Sequence, residues 1–224
     1  MPSVGRWIWA GWQLMADNLP AGTMGFLVAG GHSAPVLYVL AGNPLDLYRW
    51  DGKLPSSWTK LPINGQGNPS QLLPGGPKGP VFVNPYVPSQ LYALTAVGIR
   101  FSTNSGDTWN DETALTTALT GGGIYPLTGS FSPNGTNVYE ASHGVGLGTL
   151  SDMAFDELYP THVVAASPYT GVFFNVGDGV WHDLGAGLPK PFTPVSSVFV
   201  FGNVAVVGME GRSIWQIQGL KMFW

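Results

Sequence analysis

The stretch Ser102-Thr103-Asn104-Ser105-Gly106-Asp107-Thr108-Trp109 constrains this chain most, because its S-x-[D/N]-x-G-x-T-W spacing describes one kind of β-hairpin turn. A short polar side chain at the third position accepts backbone N–H bonds inside the turn. Glycine two places on supplies the positive φ that such a turn demands. Thr108 restarts a strand, and Trp109 brings a large apolar body back towards a core. The expectation is that Ser102, Asn104, Gly106, Thr108 and Trp109 serve the fold, since their polar groups satisfy the turn itself.

The rest of the sequence agrees with many short strands. Gly 32, Pro 19 and 12% aromatic residues stand beside only 10% charged residues, a composition poor in helix signals. Five stretches share the plan of an apolar strand, a Pro or Gly turn and a second strand. They are FLVAGGHSAPVLYVLAG, VFVNPYVPSQLYALTAVG, GSFSPNGTNVYEASHG, VVAASPYTGVFFNVGDG and VFVFGNVAVVGMEG, with second-strand markers Tyr38, Tyr92, Tyr139, Phe173 and Ala205. Third strands follow in DLYRWDG, GIRFSTN, VGLGTLSD, VWHDLG and RSIWQIQG, and outer-strand material contains Trp58, Trp109 or Phe155.

The octapeptide resembles the Asp-box, the repeat signature of β-propellers in sialidases, sortilin-type receptors, photosystem assembly factors and xyloglucan hydrolases. Asn104 stands where that family usually has Asp. The tail Gly211-Arg212-Ser213-Ile214-Trp215 is similar to the GRG[V/I]W ending of last blades in Asp-box proteins, with Ser213 in place of the second glycine. The resemblance implies an all-β fold with residues 1–224 as a single small β-propeller. The repeats suggest five four-stranded blades, with four or six as alternatives. Trp12 to Pro20 reads as an outer strand that completes the last blade, so that N- and C-terminal strands close the ring and remove two exposed sheet edges.

Charge and composition set several partners aside. Nine basic against thirteen acidic residues give no electrostatic reason to approach nucleic acid or an anionic membrane. The apolar run from Thr23 to Gly42 is cut by Gly30-Gly31-His32 and Pro35, and is expected to be a hairpin with arms Gly25–Ala29 and Val36–Ala41. No membrane insertion is expected. MPSVGRWIWAGW lacks a basic region followed by an uninterrupted apolar segment, so no signal peptide is read there. Cysteine is absent, and His32, His143, His162 and His182 have no metal-ligand spacing, so neither cofactor nor metal is expected.

Sialidase chemistry needs an arginine cluster, and the chain has only Arg6, Arg49, Arg100 and Arg212. Tyr139 and Glu140 are strand neighbours that point to opposite faces. The preferred site lies on the turns between second and third strands, read as carrying Asn43, His143, Asp178 and Glu210, with Asp46 and Arg212 close behind. Asp178-Gly179 and Glu210-Gly211 read equally as turn residues chosen for backbone conformation. Tyr86, Tyr125 and Tyr169 are candidates for stacking on sugars, and the Gly- and Pro-rich loop 64–80 is a lid, a contact loop or a spacer.

The leading functional reading is a non-catalytic binding or scaffold module for a glycan or protein ligand, with Asn43, His143, Asp178, Glu210 and Arg212 at its site. One alternative is a glycoside hydrolase with Asp178 and Glu210 as acid and base, which requires the two carboxyl groups about 5–10 Å apart. Another is a building block of a homo-oligomer or larger assembly. An extracellular or cell-surface location is what the family resemblance implies.

Overall fold

The computed structural model describes residues 18–21, 24–30, 36–50, 58–63, 72, 80–95, 98–120, 129–131, 137–139, 150–168, 170–188, 195–211 and 213–220. The fold is all-β with one short helix, and among the described residues every strand pairing is antiparallel. The first sheet runs in the order β1 (Met24–Gly30), β2 (Val36–Ala41), β3 (Asp46–Trp50) and β4 (Thr59–Lys60). The second follows with β5 (Val81–Val83), β6 (Leu91–Thr95), β7 (Gly98–Ser102) and β8 (Asn110–Asp111). A short helix α1 (Thr113–Thr120) and a hairpin of β9 (Gly129–Phe131) and β10 (Asn137–Tyr139) come next. The third sheet contains β11 (Asp152–Phe155), β12 (Val163–Ser167), β13 (Gly171–Asn175) and β14 (His182–Asp183). The fourth has β15 (Val195–Phe201), β16 (Val204–Met209) and β17 (Ser213–Gln218).

Strand periodicity explains how the sheets stack. In β6 all five residues are buried, with Leu91 and Ala93 in a core shared with the first sheet and Tyr92 and Leu94 in a core shared with the third. Successive side chains point to opposite faces, so a strand buried on both faces is apolar except where a polar side chain is hydrogen-bonded, as Thr95 Oγ1 is to Gly98 O at 2.7 Å. β12 repeats the arrangement, since Val163 and Ala165 face the second sheet while Val164 and Ala166 face the fourth. The Tyr92 ring bridges the middle junction, 4.6 Å from Phe101 and 6.2 Å from Phe155 between centroids. The fourth sheet alternates instead: β15 buries Val195, Val198 and Val200 and exposes Phe199 and Phe201.

Polar ties reinforce each junction. Tyr38 Oη donates to Pro88 O at 3.1 Å, and Arg49 Nη1 donates to Ser105 O at 2.7 Å while pairing with Asp107 at 2.9 Å. Asn84 Nδ2 donates to Pro160 O at 2.7 Å across the second junction. At the third, the fully buried Asp152 accepts from Val198 N at 3.0 Å, and Ser151 Oγ donates to Val195 O at 2.6 Å.

The hairpin expected from the run Thr23–Gly42 is present as β1 and β2. The repeat plan holds for the first, second and last repeats and needs correction between them. GSF and NVY do pair as β9 and β10, but the second and third sheets share one core, so this hairpin is not a layer between them. Asp152–Phe155, read as the end of a third strand plus outer-strand material, is the first strand of the third sheet. VVAAS and GVFFN are therefore second and third strands, one place later than expected. The marker that misled is Phe173, an aromatic that sits on β13 opposite Ala165 and Asp183 rather than on a second strand.

Helix α1 was not anticipated. It buries Leu115 and Leu119, one turn apart on one face, in the core between the second and third sheets. Glu112 precedes it, and its Oε1 accepts from Leu115 N at 3.4 Å. Among the described residues no helix is long and apolar enough to cross a membrane. Residues 12–17 of the expected N-terminal closing strand lie outside the described residues, as does most of the loop 64–80. Asn18 is described, and its side chain both accepts from Trp58 N and donates to Trp58 O at 2.9 Å.

Candidate functional site

The inter-sheet bonds align the sheets end for end, so their turns gather at two ends of the stack. One end carries the turns between second and third strands, including Gly42–Leu45 and Glu210–Gly211. The other carries the turns between first and second strands (84–90, 156–162, 202–203) and between third and fourth strands (103–109, 176–181).

Asn43 is exposed at the first end, in a turn where Gly42 has φ +93° and a Cβ would lie 3.1 Å from Pro44 O. Asp46, at the start of β3, is held by Lys60 Nζ at 2.6 Å, and this bond pushes the lysine pKa up from its ordinary value. Glu210 is exposed at the same end, beside Gly211 with φ +66°. Asp178 is at the other end, because GVFFN is a third strand and the turn after it leads to β14. Its Oδ1 accepts from Val180 N at 2.9 Å, within its own turn. His143 and Arg212 lie outside the described residues, as do Tyr125 and Tyr169. The structure thus places Asn43 and Glu210 at one end and separates Asp178 from both.

The octapeptide forms the turn between β7 and β8. Ser102 Oγ accepts from Gly106 N at 2.9 Å, Asn104 Oδ1 accepts from Thr108 N at 2.9 Å, and Asn104 Nδ2 donates to Thr108 Oγ1 at 2.8 Å. Trp109 Nε1 donates to Gly106 O at 2.9 Å while its ring packs on the core of the first two sheets. Gly106 has φ +87°, and a Cβ there would come within 2.6 Å of Leu61 Cδ1. The turn 176–181 occupies the same place in the third sheet. It is a residue shorter, with Asn175 Oδ1 accepting from Gly177 N at 2.5 Å, and it also ends in a tryptophan, Trp181.

Two turns that sequence reading did not pair are built alike. Asn84-Pro85-Tyr86-Val87-Pro88-Ser89-Gln90 and Asp156-Glu157-Leu158-Tyr159-Pro160-Thr161-His162 have the same length and the same backbone closure. Asn84 N donates to Gln90 O at 2.9 Å and Gln90 N to Val87 O at 2.8 Å; Asp156 N donates to His162 O at 3.1 Å and His162 N to Tyr159 O at 2.7 Å. In each, the first side chain accepts from the residue two places on, Asn84 Oδ1 from Tyr86 N at 3.0 Å and Asp156 Oδ1 from Leu158 N at 2.9 Å. The signal was legible as Asn or Asp first, Pro fifth, Ser or Thr sixth and an amide or imidazole last. It was lost because the fourth repeat was started at VVAAS, after the turn.

This end of the stack exposes large apolar groups on short, hydrogen-bonded turns. Tyr86 is 41% exposed, Leu158 57% and Tyr159 38%, joined by Val180 from the turn 176–181 and by Phe201 at the end of β15. Underneath, the His162 ring stacks on Tyr159 at 4.9 Å and meets Phe174 edge-on at 5.7 Å. Burial pushes the His162 pKa below its ordinary value, and the nearby Asp156 charge opposes that push. Among the described residues no group of three His, Asp or Glu side chains is placed to hold a metal ion.

No protein-family model and no curated protein matches the chain. Among solved structures, it is similar to a GH74 xyloglucanase from Xanthomonas campestris, with TM-score 0.49 and 15% identity over 82% of this chain and 27% of that one. An ancestral GH74 enzyme gives TM-score 0.37 and 16% identity over 88% of this chain and 29% of its own. PorZ, an essential bacterial surface component of the type-IX secretion system of Porphyromonas gingivalis, gives TM-score 0.34 and 12% identity over 85% and 26%. The chain spans less than a third of the length of each.

Proposed function

We propose that the chain is a non-catalytic binding or scaffold module of the β-propeller type, which engages a protein partner through the end that carries Tyr86, Leu158 and Tyr159. The observation that carries the reading is the exposure of these three side chains on matched turns of adjacent sheets. Rings and aliphatic groups on rigid turns bury apolar area on contact with little loss of side-chain freedom. Interfaces are enriched in such residues at their centres.

The propeller reading itself rests on consecutive antiparallel sheets stacked face to face and on the octapeptide turn between third and fourth strands, where Asp-box turns lie. The core shared by the second and third sheets supports a count of four large blades in sequence rather than five. In this reading the segment before Asn18 supplies the outer strand of the fourth sheet and closes the ring, as its repeat-like spacing suggests.

The hydrolase alternative loses its best pair. Asp178 and Glu210 stand at opposite ends of strands of five or six residues, and a strand of that length spans ~17–20 Å, well beyond the separation that glycoside hydrolysis uses. A glycan ligand remains the second reading, favoured by the Tyr86 and Tyr159 rings.

A glycan array that includes cleavable oligosaccharides tests all three readings. The expected result is neither retention nor cleavage, together with photo-crosslinks from a benzoylphenylalanine at position 86 that are lost when Leu158→Ser is added. Cleavage of any oligosaccharide overturns the non-catalytic reading. Retention abolished by Tyr86→Ala and Tyr159→Ala, but kept in Glu210→Gln, transfers the site to a glycan.

A further inference from the structure

We propose that the turn 156–162 is a proton-operated latch: with His162 neutral it is closed and holds Leu158 and Tyr159 outward, and a proton on His162 opens it, whereas the matched turn 84–90 does not respond.

The two turns share a backbone and differ in the side chains that close it. In the first, Asn84 Nδ2 donates to Gln90 Oε1 at 2.6 Å and to Pro160 O at 2.7 Å, so neutral amides bind the turn to itself and to its neighbour. In the second, Asp156 stands for Asn84 and His162 for Gln90. A carboxylate has no proton to donate, so this closure cannot copy the amide one. Asp156 is fully buried, and its Oδ2 has no hydrogen-bond partner among the described residues. His162 is 7% exposed, with its ring between the face of Tyr159 and the edge of Phe174.

A buried imidazolium is unfavourable unless neighbouring charge and hydrogen bonds compensate it. Among the described residues, the groups that face His162 include Asp156 and Tyr159 from its own turn and Phe174 from β13, which does not titrate. His182 of β14 lies across Phe174 in the register, and the neutral Asn84 amide reaches Pro160 from the second sheet. Among the described residues, Asp156 is a charged group that acts on the ring, and it offsets burial only in part. A histidine whose folded pKa is depressed favours the closed turn above its ordinary value of about 6.5 and loses that contribution as pH falls through it. Opening would release Pro160 O from Asn84 and let Leu158 leave Gly202, where an added Cβ would lie 3.4 Å from Leu158 Cδ1. The inference does not depend on what the exposed end binds, because its readout is the turn itself.

The test is an NMR titration of the full chain between about pH 8 and pH 5, following the His162 ring and the exchange of four amides, corrected for intrinsic rates. Exchange at Asp156 and His162 is expected to rise roughly tenfold relative to Asn84 and Gln90 as the ring titrates below about 6.5. Asp156→Asn is expected to lower the His162 pKa further. The double variant Asp156→Asn/His162→Gln copies the first turn and is expected to abolish the response. Should that variant not fold, the converse pair Asn84→Asp/Gln90→His is expected to install the response in turn 84–90. Parallel behaviour of the four amides across the titration, or a response that persists in His162→Gln, overturns the proposal.

Discussion

Ser213 has φ +74° at the start of β17, in the left-handed region that an L side chain occupies only with strain. It is also the position at which the tail departs from the glycine of the GRG[V/I]W ending, so the departure has a measurable consequence. Ser213→Gly is expected to stabilise the chain by ~0.5–1 kcal/mol, the relief of left-handed strain less the added freedom of the unfolded glycine, as read from urea unfolding. Gly106 is the reverse case. Its φ of +87° and the 2.6 Å approach of a Cβ to Leu61 Cδ1 act together, so Gly106→Ala is expected to destabilise by about 2–4 kcal/mol. A loss under about 0.5 kcal/mol would show that Leu61 moves aside without strain. The polar residues of this turn were legible from spacing alone because their partners are local. The Tyr86 and Leu158 positions were not, because a side chain's exposure depends on neighbouring sheets that spacing does not describe.

At the scale of elements, strands that bury both faces gave the clearest signal, as in Leu91–Thr95, and markers that sit on either of two strands gave the poorest. Phe173 has the spacing of a second-strand aromatic but sits on a third strand, and this one-strand shift puts Asp178 at the opposite end of the stack from Asn43 and Glu210. Helix α1 is hidden in the sequence because its threonines favour strands and its apolar face shows only as Leu115 and Leu119 one turn apart, although Gly121-Gly122-Gly123 follows its last residue. The joints between elements are as specific as the elements. Asp152 receives Met153 N at 2.8 Å through Oδ1 and Val198 N at 3.0 Å through Oδ2, so both oxygens must be acceptors. Asp152→Asn turns one acceptor into a donor that faces an N–H, and is expected to destabilise by about 1–3 kcal/mol in chemical denaturation. Asp152→Glu retains both acceptor oxygens and the charge, and a partial recovery of stability in that variant would assign the loss in Asp152→Asn to the missing carboxylate rather than to disturbed packing.

Across the whole molecule, burial is graded from the inner sheets to the outer face of the fourth. Phe174 is fully buried between the third and fourth sheets, whereas Ile214 is 74% exposed on β17. Phe174→Ala is expected to destabilise by about 3–5 kcal/mol, and Ile214→Ala to change stability by less than about 0.5 kcal/mol. A larger effect of Ile214→Ala in the isolated chain would mean that this face is covered in solution. The stacking order was not legible from repeat spacing, because sheets that share a core need not be adjacent in a list of hairpins.

The two-faced burial of β6 also governs how this molecule comes apart. Leu91 and Ala93 belong to one core while Tyr92 and Leu94 belong to the next, so neither core can melt without withdrawing a wall from the other. β12 couples the second core to the third in the same manner. A chain assembled from similar modules is thereby denied the modular unfolding that its repeats suggest, and its sheets lose their order in concert.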